Sequence, residues 1–303
     1  MMSRMRIGID LGGTKTELIA LDNNGHERLR LRQSTPSGDY AATLRLMGDM
    51  VAQAEQELGA RATVGLGTPG AITGTSGCMQ NCNSTCLNGM PLKQDIEGLL
   101  GREVRMANDA NCFALSEAVD GAGQDADVVF GVILGTGVGA GVVVRGQILT
   151  GANGIAGEWG HNPLPQATQA ERPGPTCYCG RSGCVETWLS GPGMAADHAH
   201  INDGSLNAKE IAALATTGDA NCSATLTRHA ERLARSLACV INILDPDVIV
   251  LGGGLSHIAS LYEHVPTLWA RHVFSDTVTT RLLPPLHGDS SGVRGAAWLW
   301  EKP

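Results

Sequence analysis

A chain of 303 residues with 43% apolar and 17% charged side chains has enough apolar surface for ordinary cores and too little charge for a disordered or polyelectrolyte protein. A formal net charge of −8 argues against a nucleic-acid or anionic-membrane surface. The start, MMSRMRIGID, has no apolar signal-peptide core, and the longest apolar stretch, residues 128–144, is broken by five glycines, so a cytoplasmic protein without a membrane segment is expected.

In chain order, RIGIDLGGTKTELIALDNNG alternates apolar and polar residues on both sides of Gly12–Gly13, which predicts a strand, a tight turn and a second strand. Residues 39–58 carry Leu44, Met47, Val51, Ala54 and Leu58 at helical spacing, with Gly59 as a stop. VGLGTPG reads as a buried strand entering a loop, and residues 91–100 and 109–122 read as helices. From residue 129 the first pattern returns as VFGVILGTGVGAGVVVRGQ, again strand, glycine turn and strand. Helices are expected over 207–217 and 220–244, then a short buried strand in DVIVLGGG and a last helix in GVRGAAWLW. Two α/β halves are implied, 1–118 and 119–288, with the 289–303 helix returning to the first and a ligand cleft between them.

Three nucleotide-binding patterns compete. GIDLGGTK misses the P-loop because Lys15 follows Thr14 and the next residues continue as a strand. GLGTPG spells a dinucleotide fingerprint, but Pro69 and a turn-rich continuation open no helix. DLGGT (10–14), GTGVGAG (135–141) and LGGG (251–254) fit better as a set, since Gly and Thr turns offer backbone N–H and hydroxyl donors to phosphates. Asp10 closes the first strand where a carboxylate could hold Mg²⁺ through water.

Asn108 and Asp109 open a helix, as N-caps or as groups pointing into the cleft. GEWGH supplies Glu158 and His161, a Glu-x-x-His pair that suits a metal, a sugar or neither. CYCGRSGC places Cys177, Cys179 and Cys184 in one short loop, sixteen residues or more after His161. With nine cysteines and no secretion signal, metal ligation is favoured over disulfides, and three thiolates plus one imidazole make a closed, structural Zn²⁺ shell. Cys78, Cys82 and Cys86 are spaced by four, but the residues between them make poor helix, so no second metal site is expected.

DLGGT, the repeated hairpin, GTGVGAG and LGGG together resemble the actin-like ATPase (ribonuclease H-like) duplicated fold. ILGTGVGAGVVVRGQILTGANGIAGEWGH resembles the ROK family of sugar kinases and sugar-responsive repressors, over nearly the whole chain. The resemblance implies Mg·ATP held by Asp10, Gly12, Gly13, Thr14 and Lys15 on one side and Thr136 and Gly137 on the other, with Gly252, Gly253 and Gly254 near the adenosine. It implies a sugar held by Asn83, Asn108, Asp109, Glu158, His161 and Glu186, with Asp109 as catalytic base. It implies zinc on His161, Cys177, Cys179 and Cys184, the second imidazole nitrogen meeting a sugar hydroxyl. Asn83 matches an Asn-x-x-Trp pattern in which this chain has Cys86 for the Trp.

A repressor of this family carries a DNA-binding domain before the core. Here the first strand starts near residue 5, so a kinase acting on small molecules, homodimeric as is usual in the family, is expected over a non-catalytic sugar sensor. NSTCLNG, GEWGHNPLP, CVETWLSG and HGDSSGVRGAAWLW most resemble fructokinases of the manno(fructo)kinase type. Fructose, then mannose, is the expected substrate, with N-acetylglucosamine kinase as the alternative and glucose third.

Overall fold

The computed structural model describes residues 5–72, 76–82, 84–202 and 204–300. The first hairpin is β1 (Arg6–Leu11) and β2 (Lys15–Leu21), antiparallel, its turn closed by Gly12 N–H donating to Lys15 O at 3.0 Å. Strand β3 (Glu27–Ser34) follows, then α1 (Tyr40–Leu58), capped by the Asp39 side chain and stopped at Gly59 in a left-handed conformation. After β4 (Thr63–Thr68) come the short strands β5 (Ala71–Ile72) and β6 (Met79–Gln80), helix α2 (Leu92–Leu100), β7 (Val104–Asn108) and α3 (Asp109–Val119). The first sheet has the order β3-β2-β1-β4-β7, with β1, β4 and β7 parallel.

The second half repeats this plan. Strands β8 (Val128–Leu134) and β9 (Val138–Val144) form the second hairpin, extended by β10 (Gln147–Ile148). Helices α4 (Val185–Leu189), α5 (Gly191–Ile201), α6 (Ala208–Thr216) and α7 (Ala220–Leu244) lead to β11 (Val248–Gly252), which lies parallel to β8. Helix α8 (Ala259–Trp269), β12 (Arg281–Leu283) and α9 (Ser291–Trp298) end the chain, and the second sheet runs β10-β9-β8-β11-β12.

In each sheet, parallel strands end on the same edge. Asp10 stands beside Gly67, and Thr68 beside Asn108, so β1, β4 and β7 bring Asp10 and Asn108 to one rim. Helix α9 lies flat on the first sheet, where Gly8 and Gly65 leave no room for a Cβ against the backbone of Val293 and Ala296. Helix α3 instead packs on β8 and β9, its Ala114 pressed against Gly131 and Gly141. The two helices meet between the sheets, in a cluster that includes Phe113, Val129, Val250, Val293 and Trp298. Each such side chain contributes about 1.5–3 kcal/mol by leaving water. Within this layer the buried Glu117 carboxylate accepts Ser291 Oγ–H at 2.6 Å, Ala122 N–H at 2.8 Å and Leu286 N–H at 3.1 Å.

Several elements depart from expectation. The helix opening at Asp109 ends at Val119, not at residue 122. Strand β3 was not anticipated because its alternating residues are arginines, whose charges are met by Glu17 on β2 (Arg32 at 2.7 Å, and Arg30). Helix α8 forms despite Pro266 within it. Cys78, Cys82 and Cys86 share no helix, and among the described residues they form no metal-ligating group. No helix among the described residues is long and apolar enough to cross a membrane.

Candidate active site

Asp109 is the first residue of α3, one position after its N-cap. The Asn108 side chain accepts Asn111 N–H at 2.7 Å, and Asp109 Oδ1 accepts Ala110 N–H at 2.8 Å. Capping and cleft placement therefore coincide. The Asp109 side chain opens to solvent on the cleft side, while the packed walls around it push its pKa up against those backbone hydrogen bonds.

A cavity of about 330 Å³ brings Asp109 together with Asp10, Gly12, Gly13, Ser84 and Gly253, so groups from both sheets line one space. Burial, followed by the charges of Asp109 and Glu17, raises Asp10 to about 6, with Lys15 opposing. Two carboxylates lining one cavity are suited to a divalent cation. At Gly13 a Cβ would come within 3.2 Å of Ser84 Oγ, a tight contact. Thr14 lines an adjoining 300 Å³ pocket with Thr35, Ser84 and Cys86, and Lys15 is exposed at the start of β2.

A larger cavity, about 810 Å³, lies over the second sheet and is lined by Thr136, Gly254, Leu255, Ile258, Lys209 and His257. Its apolar walls with few polar groups suit a nucleobase. Lys209 and His257 carry no motif in the sequence and become visible only when α6 is placed over the glycine turn. Gly253 adopts φ +76° against the Leu134 backbone. Gly252, expected near the adenosine, lines neither cavity; a Cβ there would meet the Phe113 ring at 2.6 Å, so this glycine serves packing.

Gly137 is likewise explained by a neighbour. Its Cβ would stand 2.7 Å from Glu186 Oε2, the atom that accepts Val138 N–H at 2.9 Å. Glu186, expected to face a sugar, is thus tied through this oxygen to the second glycine turn. Glu158 is exposed just before the short turn Trp159–His161. Asn108 also lines a third cavity of about 300 Å³ with Thr68, Gly70, Asn111 and Thr150. Asn83 lies outside the described residues.

His161, Cys177, Cys179 and Cys184 converge, their ligand atoms all within 4.8 Å of one another. Cys179 Sγ and Cys184 Sγ are 3.6 Å apart, and Cys177 Sγ is 3.6 Å from His161 Nδ1. A tetrahedral zinc with Zn–S near 2.3 Å and Zn–N near 2.0 Å needs S···S of about 3.8 Å and S···N of about 3.6 Å, whereas a disulfide needs about 2.05 Å. The residues fit the metal. Backbone bonds sew the two ligand segments together, Leu164 N–H to Gly183 O at 2.9 Å and Val185 N–H to Asn162 O at 2.8 Å, and Cys177 N–H to Arg181 O at 2.7 Å closes the cysteine loop on itself. Gly180 and Gly183 take positive φ to make the turn. His161 Nε2 is 2.9 Å from Tyr178 Oη, a neighbour the sequence did not point to.

The ROK family pattern matches residues 6–303, and the chain belongs to the ROK family. It is 40% identical over 299 residues to the N-acetyl-D-glucosamine kinase of Yersinia enterocolitica, covering 97% of this chain and 99% of that one. Among solved structures it is similar to the ROK hexokinase of Thermus thermophilus, with a TM-score of 0.86, 29% identity and 97% of each chain covered. It is also similar to a ROK family glucokinase from Streptomyces griseus in complex with glucose and AMPPNP, with a TM-score of 0.75, 27% identity and coverage of 97% and 98%. The two sheets are those of the actin-like ATPase sugar-kinase fold. Fructose, expected from local motifs, finds no specific support in these relatives.

Proposed function

We propose that this ATP-dependent sugar kinase phosphorylates N-acetylglucosamine at its 6-hydroxyl. The observation that carries the reading is the single cavity holding Asp109 and Asp10 between glycine turns of the two sheets. The 40% identical relative that acts on N-acetylglucosamine supports this acceptor over fructose, since the likeness spans nearly the whole of both chains.

Asp109 accepts the proton of the sugar hydroxyl as its oxygen attacks the γ-phosphorus. The bond from that phosphorus to the bridging oxygen breaks, and ADP leaves with the electron pair. Magnesium, when bound, neutralises charge on the phosphates, and Asp10 is the residue placed to hold it. We assign the phosphates to the turns at Gly12–Thr14 and Thr136–Gly137 and the adenosine to the 810 Å³ cavity ending at Gly254. Asn108 and Glu158 are assigned to the sugar. His161, Cys177, Cys179 and Cys184 are assigned to a structural zinc that fixes the loops beside it. Residues 1–118 with 289–303, and residues 119–288, are assigned to the two units that close on the substrates.

The test is Asp109→Asn, which keeps size and an oxygen to accept Ala110 N–H but removes the base. A positioned base is worth about 10²–10⁴ in rate, so kcat should fall at least a hundredfold with sugar binding still measurable by calorimetry. Activity within tenfold of wild type would overturn the assignment.

A further inference from the structure

We propose that Ser84 is a further catalytic residue of the phosphoryl transfer: its hydroxyl donates a hydrogen bond to an oxygen of the γ-phosphoryl group held at the Gly12–Thr14 turn. This rests on the placement of the phosphates given above and adds to it a side chain from a different loop.

Three observations meet at this residue. Ser84 lines both the 330 Å³ cavity that holds Asp10 and Asp109 and the adjoining 300 Å³ pocket that holds Thr14, so it stands on the wall the two share. Its Oγ lies against the first glycine turn, where a Cβ on Gly13 would come within 3.2 Å of it. It is also the N-cap of the short turn Thr85–Leu87, yet its hydroxyl makes no capping bond and has no hydrogen-bond partner among the described residues. A serine at such a position ordinarily spends its oxygen on a backbone N–H of the turn it opens. Here the half-buried hydroxyl is left to the cavity.

The loop holds that hydroxyl in place. Asn88 Oδ1 accepts Cys82 N–H at 2.9 Å and Asn88 Nδ2 donates to Cys82 O at 3.2 Å, which closes the loop at its base. Leu87 N–H donates to Ser84 O at 3.0 Å, and the Leu87 side chain is buried in the core of the first half. A donor fixed in this way needs no reorganisation when charge spreads over the oxygens of the transferring group. The phosphate is its partner rather than the sugar because Asp109 marks where the acceptor hydroxyl sits, whereas Ser84 stands at Gly13, on the side that continues to Thr14. No bond to Ser84 forms or breaks, and the hydroxyl keeps its proton.

Ser84→Ala removes the hydroxyl and leaves every backbone bond of the loop in place. The measurements are kcat and sugar KM on N-acetylglucosamine, and calorimetric binding of AMPPNP and of ADP with Mg²⁺, all on the full-length protein. A hydrogen bond to a charged group is worth about tenfold or more, so kcat should fall by about that factor. AMPPNP should bind severalfold more weakly, while ADP, which lacks the γ group, and the sugar KM stay within twofold of wild type. An unchanged kcat with unchanged AMPPNP binding would overturn the proposal. Equal weakening of ADP and AMPPNP would overturn it as well, and so would a raised sugar KM with nucleotide binding untouched. Failure of the wild-type protein to turn over any sugar would overturn the transfer reading, and the difference between AMPPNP and ADP would still decide the role of Ser84.

Discussion

Replacing Glu171 with Gln removes one negative charge from a buried network that anchors the segment leading into the zinc loop. Glu171 Oε1 accepts Arg232 Nε–H at 2.9 Å and an Arg235 guanidinium N–H at 2.8 Å, and Oε2 accepts Thr168 N–H at 2.9 Å. The three charged side chains are 9%, 7% and 10% exposed, so little solvent screens them. Burial works to raise the Glu171 pKa, but the hydrogen bonds from Arg235, Arg232 and Thr168 overcome it and hold the carboxyl at about 2. Depression from 4.5 to about 2 corresponds to roughly 3 kcal/mol at 1.36 kcal/mol per unit. Removing one partner of a buried pair typically costs 3–5 kcal/mol, which agrees.

At about 2–4 °C per kcal/mol, Glu171→Gln should lower Tm at pH 7 by roughly 6–12 °C in a calorimetric or circular-dichroism melt. The sign with pH follows from the depressed folded-state value. The contribution is fully present above the unfolded pKa of 4.5 and is lost as pH falls toward about 2, so the two melting curves should converge there. A Tm loss below about 2 °C at pH 7, or a difference that persists undiminished at pH 2–3, would refute the reasoning.

Cys179→Ser, or removal of zinc by a chelator, should lower Tm and raise the sugar KM severalfold while the ATP KM moves less than twofold; a zinc-free protein with unchanged sugar KM would refute the link between metal and sugar loops. Because Asp10 is raised to about 6, kcat/KM for Mg·ATP should fall about tenfold per unit below pH 6 as the carboxylate takes a proton, and a profile flat down to pH 5 would exclude Asp10 from cation binding. The same shift has an opposite sign for stability: with the folded-state pKa above 3.8, the Asp10 contribution is full below pH 3.8 and lost as pH rises through about 6. Added Mg²⁺ should therefore raise Tm more at pH 7 than at pH 5.

Both hairpins were legible in the sequence because period-two alternation around glycine turns is a local signal, and α1 because its periodicity and Gly59 stop agree. The cluster of His161, Cys177, Cys179 and Cys184 was legible because three of the four sit in eight consecutive positions. What escaped depends on distant neighbours. Gly8 and Gly65 figure in the sequence only through nucleotide patterns that fail, and Gly295 through none, yet all three allow α9 to touch the first sheet and α3, and Gly252 packs against the Phe113 ring. Lys209 and Tyr178 belong to no motif read in the sequence; only the fold puts one over the large cavity and the other beside His161. Glu186 matched a sugar contact by motif, and only the fold shows its Oε2 also accepting Val138 N–H at 2.9 Å.

The most direct measurement is ADP release with Mg·ATP and zinc-loaded protein on N-acetylglucosamine, fructose, mannose and glucose at matched concentrations, with the phosphate position read by NMR and Asp109→Asn run in parallel. The highest kcat/KM on N-acetylglucosamine, a 6-phosphate product and near-complete loss in the Asn variant are predicted. Turnover chiefly on fructose would contradict the acceptor while leaving the transfer step intact. No turnover on any of the four with sugar bound, or full activity in Asp109→Asn, would contradict the transfer from Asp109 itself.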